Sequence, residues 1–231
     1  MNTRSFIRII FLVLFTMVGL PMVHSQSFMS NAEFHAQLGE YPASLGADSA
    51  PRPVQRKLLP DNLSIVERGL WGENGFLRTI GIASPLTPES RKSELKLRRT
   101  MLTLHQIGGF VTLGLMLGAV YYGQQILNGQ NGYRRAHQGF VEATIISYST
   151  TGLLAILSPP PLIRRNDWGT TTIHKTLAWI HVAGMIITPI LGGMINRRGT
   201  PEAYLRSEHF HQISAYITTG VFAASLIVIT I

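Results

Sequence analysis

The chain has no cysteine, which excludes disulfides, thiolate nucleophiles, Cys-ligated zinc, iron–sulfur clusters and a covalently attached c-type haem. Charge is scarce as well. Asp, Glu, Lys and Arg make up 14% of the 231 residues, where soluble domains carry roughly 25%. No glycine loop of the phosphate-cradling kind and no nucleophile elbow is present, so nucleotide-driven and serine-hydrolase chemistry have no signature here. Lys and Arg exceed Asp and Glu by 20 to 12. The positive residues, however, sit mostly between apolar blocks, which is the charge pattern of a membrane protein and not of a nucleic-acid binder.

What the chain does have is four long apolar blocks. Thr87 is a good N-cap with Pro88 at the first helical position and Glu89 and Glu94 near the positive end of the dipole, so a helix can run from there into a first span, Met101–Leu127. A second span covers about 140–157 and must stop at Pro159-Pro160-Pro161, because a proline interrupts the helical hydrogen-bond ladder. The third runs over about 173–195 with Pro189 as an expected kink, and the fourth from about Phe210 to Ile231. Each is near the roughly 20 residues needed to cross the hydrocarbon core. The expected fold is therefore all-α, an integral membrane four-helix bundle in contact with lipid.

Ahead of the spans, Arg4 and Arg8, the apolar stretch Ile9–Val23 and the small residue Ser25 read as a secretory signal over 1–26, with an uncleaved anchor as the alternative. Residues 27–86 are rich in Pro, Gly, Ser and Asn. Within them Ser64-Ile65-Val66-Glu67 has the capping-box pattern, and Leu63, Val66, Leu70, Trp71, Phe76, Leu77 and Ile80 can form one or two short amphipathic helices. The bland expectation for this stretch is a membrane-surface or bundle-capping segment; the sharper one is a docking surface for an electron-donating partner. The expected division is 1–26, an extracytoplasmic irregular or amphipathic segment 27–99, and the membrane domain 100–231. An exported N-terminus leaves Arg134, Arg135, Arg197, Arg198 and Arg206 inside and Arg164 and Arg165 outside. The cluster Arg91, Lys92, Lys96, Arg98 and Arg99 at the outer end of the first span runs against the positive-inside rule.

Six of the eight histidines belong to the spans: His105 in the first, His137 opening the second, His174 and His181 in the third, His209 and His211 opening the fourth. Ionisable side chains at membrane depth are costly and tend to face a partner inside the bundle. With alternating helix directions and a rise of about 1.5 Å per residue, His137 and His211 both lie roughly 14–15 Å below the midplane, and His105 roughly 12–13 Å above it. Two facing pairs, one from spans one and three and one from spans two and four, are the arrangement for two stacked cofactor sites, each offering an iron two axial imidazoles. On span three, equal depth with His105 favours His174. Burial nearer the membrane centre and a shorter gap between sites, about 20 Å instead of about 27 Å, favour His181. His181 is the expected ligand, with His174 and Lys175 then at the mouth, where they could bind a propionate or an outer substrate. Arg134 and Arg135 at the inner mouth, and Arg98, Arg99 and Lys175 at the outer, are candidates for neutralising haem propionates, or are simply topological anchors. Gly108, Gly109, Gly114, Gly118, Gly184, Gly192, Gly193 and Gly220 either clear space for a porphyrin face or permit tight helix packing.

The segments Leu104-His105-Gln106, Arg135-Ala136-His137-Gln138-Gly139, Ala178-Trp179-Ile180-His181-Val182-Ala183-Gly184 and His211-Gln212-Ile213-Ser214-Ala215-Tyr216 resemble the central four helices of the cytochrome b561 family and its bacterial relatives, over about residues 100–231. The resemblance implies two non-covalent b-type haems, an outer one on His105 and His181 and an inner one on His137 and His211. It also implies transmembrane electron transfer, with ascorbate as donor in many eukaryotic members, for which no binding motif stands in this sequence. With the signal-like N-terminus, the expected location is a bacterial inner membrane with segment 27–99 on the periplasmic side, and the expected partners are a quinone or small-molecule reductant and a periplasmic redox protein. The family's two peripheral helices are absent or reduced to the N-terminal apolar segment. Two rival readings are a quinol-oxidising cytochrome b anchor of a redox complex and a haem-free transporter using the histidines as metal ligands or proton relays.

Overall fold

The computed structural model describes residues 57–163, 169–195 and 199–230; the expected signal segment 1–26 and the stretch 27–56 lie outside them. The described residues contain helices and no strand. In chain order these are α1 (Ile65–Trp71), α2 (Phe76–Thr79), α3 (Pro88–Leu127), a 3-10 turn (Asn131–Tyr133), α4 (Arg134–Ile156), α5 (Thr170–Gly193) and α6 (Pro201–Thr230). Helices α3 to α6 are each long and apolar enough to cross a membrane, which makes this a multi-pass membrane protein.

The helix limits follow from local chemistry. Thr87 caps α3, its Oγ1 accepting from Ser90 N at 3.2 Å while Ser90 Oγ accepts from Thr87 N at 2.9 Å. At the other end Gly129 takes φ +86°, and the bonds Gly129 N to Ile126 O and Gln130 N to Gln125 O close a Schellman turn. α4 stops before the proline run, as expected. α6 starts at Pro201, about nine residues ahead of the expected Phe210, because Thr200 Oγ1 accepts from Ala203 N and Pro201 is favoured at the first helical position. α5 keeps Pro189 inside a continuous helix.

The described residues form two compact units. One holds 105–152, 169–195 and 199–230. Its outward side chains are apolar, with Ile146 68% and Trp179 76% exposed, as lipid contact requires. Inside, Phe110, Leu113, Met116, Phe222 and Leu226 form the buried cluster. Small residues let the helices approach: a Cβ on Gly108, Gly109, Gly118 or Gly184 would overlap Thr151, Leu226, Phe140 or Thr218 respectively. For these four glycines the packing expectation is the one the structure shows. Thr112 to Ser147 and Thr188 to Ser214 add hydroxyl contacts of 2.8 and 2.7 Å.

The second unit holds 57–104 and 153–163. The Ser64 capping box of α1 forms in full, and α1 and α2 are the two short helices expected. Its centre is ionic. Glu94 lies between the guanidinium groups of Arg78, at 2.7 Å, and Arg91. Arg91 is fully buried and also donates to Leu58 O (2.8 Å) and Pro160 O (3.1 Å), while Arg98 donates to Ser158 Oγ and Pro159 O. Trp71 Nε1 donates to Leu157 O at 3.0 Å. Arg91 and Arg98 are therefore clamps on the proline turn that follows α4. Arg98, one of the cations considered for a propionate or as an anchor, is engaged there.

Candidate functional site

Four of the span histidines form two pairs. His105 on α3 faces His174 on α5 with ring centres 6.1 Å apart and planes at 86°. His137 on α4 faces His211 on α6 at 6.2 Å and 88°.

Every one of the four rings is fixed the same way, through Nδ1 to a backbone carbonyl of the neighbouring helix. His105 donates to Thr151 O (2.8 Å) and His137 to Ala119 O (2.8 Å), a reciprocal exchange between α3 and α4. His174 donates to Ser225 O (3.0 Å) and His211 to Thr188 O (3.0 Å), the same exchange between α5 and α6. A carbonyl can only accept, so each Nδ1 carries the proton and each Nε2 is left with its lone pair. This is the outer-shell arrangement that orients a metal-ligating imidazole.

The sequence spacing explains the repetition. On α3 the pair His105 and Ala119, on α4 His137 and Thr151, on α5 His174 and Thr188, and on α6 His211 and Ser225 are all fourteen residues apart. Fourteen residues are close to four helical turns, so histidine and acceptor share a face, about 21 Å apart along the axis. Each helix thus supplies one imidazole to one layer and one acceptor to the other. Gly123 and Gly192 stand eighteen residues after His105 and His174. A Cβ on Gly192 would come within 2.9 Å of the His211 ring, and one on Gly123 within 3.2 Å of His137. Neither fourteen-residue acceptors nor Gly123 were among the expected site residues, although the regular spacing is visible once the pairs are known.

The expected partnership of His105 with His181 is not the one assembled. His174 takes that place. His181, buried, shares a hydrogen bond of 2.8 Å with Tyr148 through Nδ1 and packs on Phe222 with ring centres 5.0 Å apart. The reason is level: His174 lies opposite His105, whereas His181 is two turns further along α5, about 10 Å deeper. His209 is exposed, in line with the choice of His211. Lys175 and Arg135 are exposed, and Arg134 donates to Asn131 Oδ1 at 2.6 Å, anchoring the turn before α4. Beside the His137/His211 pair, Tyr216 Oη and Gln212 Nε2 both donate to Gln124 Oε1, at 2.5 and 3.1 Å, tying α6 to α3.

Chemically, each layer offers two Nε2 lone pairs, one from each ring. Two imidazoles bound to one metal at about 2 Å each put their ring centres roughly 6 Å apart, close to both separations seen. A haem brings its own four equatorial nitrogens and asks the protein for such an axial pair, so the donor set fits two haems, on His105/His174 and His137/His211. No protein-family model, curated protein or solved structure matches the chain.

Proposed function

We propose that this protein is a bis-histidine dihaem b-type cytochrome that carries single electrons between a donor and an acceptor on opposite faces of a membrane, related in design to the cytochrome b561 family. The observation that carries the reading is the common anchoring of four imidazoles, each with Nδ1 on a backbone carbonyl and paired across the bundle at about the separation a shared metal requires. Haem iron would supply the one-electron couple. His105 and His174 would hold one haem, and His137 and His211 the other.

The remaining work falls to the chain. Backbone carbonyls fix ring orientation and tautomer, so that no rotamer search accompanies ligation. Phe110, Leu113, Met116, Phe222 and Leu226 keep water from the bundle interior, and glycine at 123 and 192 leaves room for the second-layer rings. Exposed Lys175 and Arg135 are the cations available for propionates at the two ends. With an exported N-terminus, the location is a bacterial inner membrane with residues 57–86 on the periplasmic side.

The test is a dithionite-reduced-minus-oxidised spectrum of the protein purified in detergent from haem-replete cells, with haem counted per chain. A b-type α-band and two haems are expected. A colourless protein that binds no added haem contradicts the reading.

A further inference from the structure

The two halves of the membrane unit repeat each other. Taking His105 onto His174 and His137 onto His211 also takes Gly123 onto Gly192, Thr144 onto Thr218 and Thr151 onto Ser225. Midway between the layers the halves part: Thr112 corresponds to His181, and Tyr148 to Phe222. Thr112 and Ser147 make an ordinary hydroxyl contact of 2.8 Å. Tyr148 and His181 make an aromatic one, with ring centres 5.6 Å apart at 84° and a hydrogen bond of 2.8 Å, and Phe222 packs on both rings at 5.9 and 5.0 Å.

A phenol and an imidazole at membrane depth are expensive residues for a position where the other half uses Thr and Phe. Their placement gives them a use. His181 is seven residues from His174 and seven from Thr188 on α5, so it stands halfway between the layers, about 10 Å from each level. Tyr148 lies three residues before Thr151, whose carbonyl accepts from His105. Thr188 O accepts from His211. A path of covalent and hydrogen bonds therefore runs from His105 through Thr151 to Tyr148, across to His181, and along α5 to Thr188 and His211. It contains three hydrogen bonds, of 2.8, 2.8 and 3.0 Å, and no through-space gap.

We propose that the Tyr148–His181 pair is the bridge by which an electron crosses between the two layers. The step moves one electron from the reduced centre of one layer to the oxidised centre of the other. Tyr148 and His181 keep their protons and their oxidation state; they serve as a bonded medium, and neither is a ligand. The proposal rests on the two-layer reading above.

Three variants test it: His181→Leu, His181→Gln and Tyr148→Phe. First, in the protein without haem, the 13C signal of the Tyr148 ring carbon bearing the hydroxyl should move in His181→Leu, because its hydrogen bond is lost; an unmoved signal overturns the pair itself. Second, in the haem-loaded protein, one electron is injected by pulse radiolysis and its redistribution between the layers followed optically. His181→Leu should slow redistribution at least tenfold and Tyr148→Phe, which keeps the ring, by less, with His181→Gln recovering part of the loss. Absorption spectra and haem content should stay as in the unaltered protein, which a role limited to packing would not combine with slowed transfer. Rates within twofold of the unaltered protein in both His181→Leu and Tyr148→Phe overturn the bridge while leaving the two-layer reading standing. A protein that takes up no haem overturns both, and shows it before any rate is measured.

Discussion

Thr151 stands fourteen positions beyond His137 on α4, and its carbonyl oxygen lies 2.8 Å from Nδ1 of His105 on α3. The relationship recurs on all four membrane helices. Its consequence is that neither layer is assembled from its own imidazoles alone: each imidazole is oriented by a helix that contributes its own imidazole to the opposite layer. Because the acceptors are backbone atoms held in helices, the bonds at Ala119, Thr151 and Thr188 do not depend on which side chain stands there, while at Ser225 the hydroxyl adds a second contact to His174 Nδ1 at 2.9 Å. The imidazoles that the proposed function makes ligands have no such latitude.

Alanine at His105 or His174 should therefore empty one layer, and alanine at His137 or His211 the other. Each single variant should keep about one haem of two, and the double variant His105→Ala/His174→Ala should lose no more than either single one, since the two act as a unit. Haem counted per chain is the readout. His181→Ala and His209→Ala should retain both haems; loss of a haem in His181→Ala with retention in His174→Ala would reverse the assignment on α5.

A change that touches no ligand should also unload one layer. A methyl group at residue 192 would sit 2.9 Å from Cε1 of the His211 ring, closer than a real Cβ contact allows, so the ring must shift to admit it. Gly192→Ala should displace the ring and lower occupancy of the His137/His211 layer while leaving His105/His174 loaded. Gly193→Ala, where nothing lies within reach of an added Cβ, is the matched control. The measurement is haem content with the two components resolved by redox titration.

The ionic centre of the other unit predicts a stability effect. Glu94 is nearly buried between Arg78 and Arg91, and removing one partner of a buried ion pair costs about 3–5 kcal/mol because the remaining charge stays desolvated. Glu94→Ala leaves two guanidinium groups facing each other and should lower the midpoint of thermal unfolding markedly. Lys57, paired with Asp61 at the surface, serves as comparison: Lys57→Ala should change stability by less than about 1 kcal/mol.

The spans were legible in the sequence because length, apolar content and the proline run after residue 158 leave little choice, and the two short helices because Ser64 and Glu67 form a capping box. The early start of α6 was hidden by Glu202, Arg206 and Glu208, whose charges break the apolar run without breaking the helix. His174 and His181 could not be separated from α5 alone. They are seven residues apart and share one face, so the choice depends on the level of a ring on α3 and of a carbonyl on α6. Depth, which favoured His174, agrees with the pairing; burial, which favoured His181, was satisfied by Tyr148 instead. Arg91 and Arg98 read from sequence as charges at a membrane boundary, but beside nearer partners such as Glu94 they also reach Pro160 O and Pro159 O, 69 and 61 residues further along the chain. Contacts that distant leave no local pattern to read.

The central claim is that two pairs of imidazoles, each pair with its planes nearly perpendicular, clamp two metals. Low-temperature electron paramagnetic resonance of the oxidised, haem-loaded protein tests it most directly, because crossed axial imidazoles give low-spin ferric haem a strongly anisotropic signal, distinct from the rhombic signal of parallel rings. Two such low-spin signals of about equal weight are predicted from the angles of 86° and 88°. A high-spin ferric signal, or a single low-spin species with one haem per chain, would contradict the account.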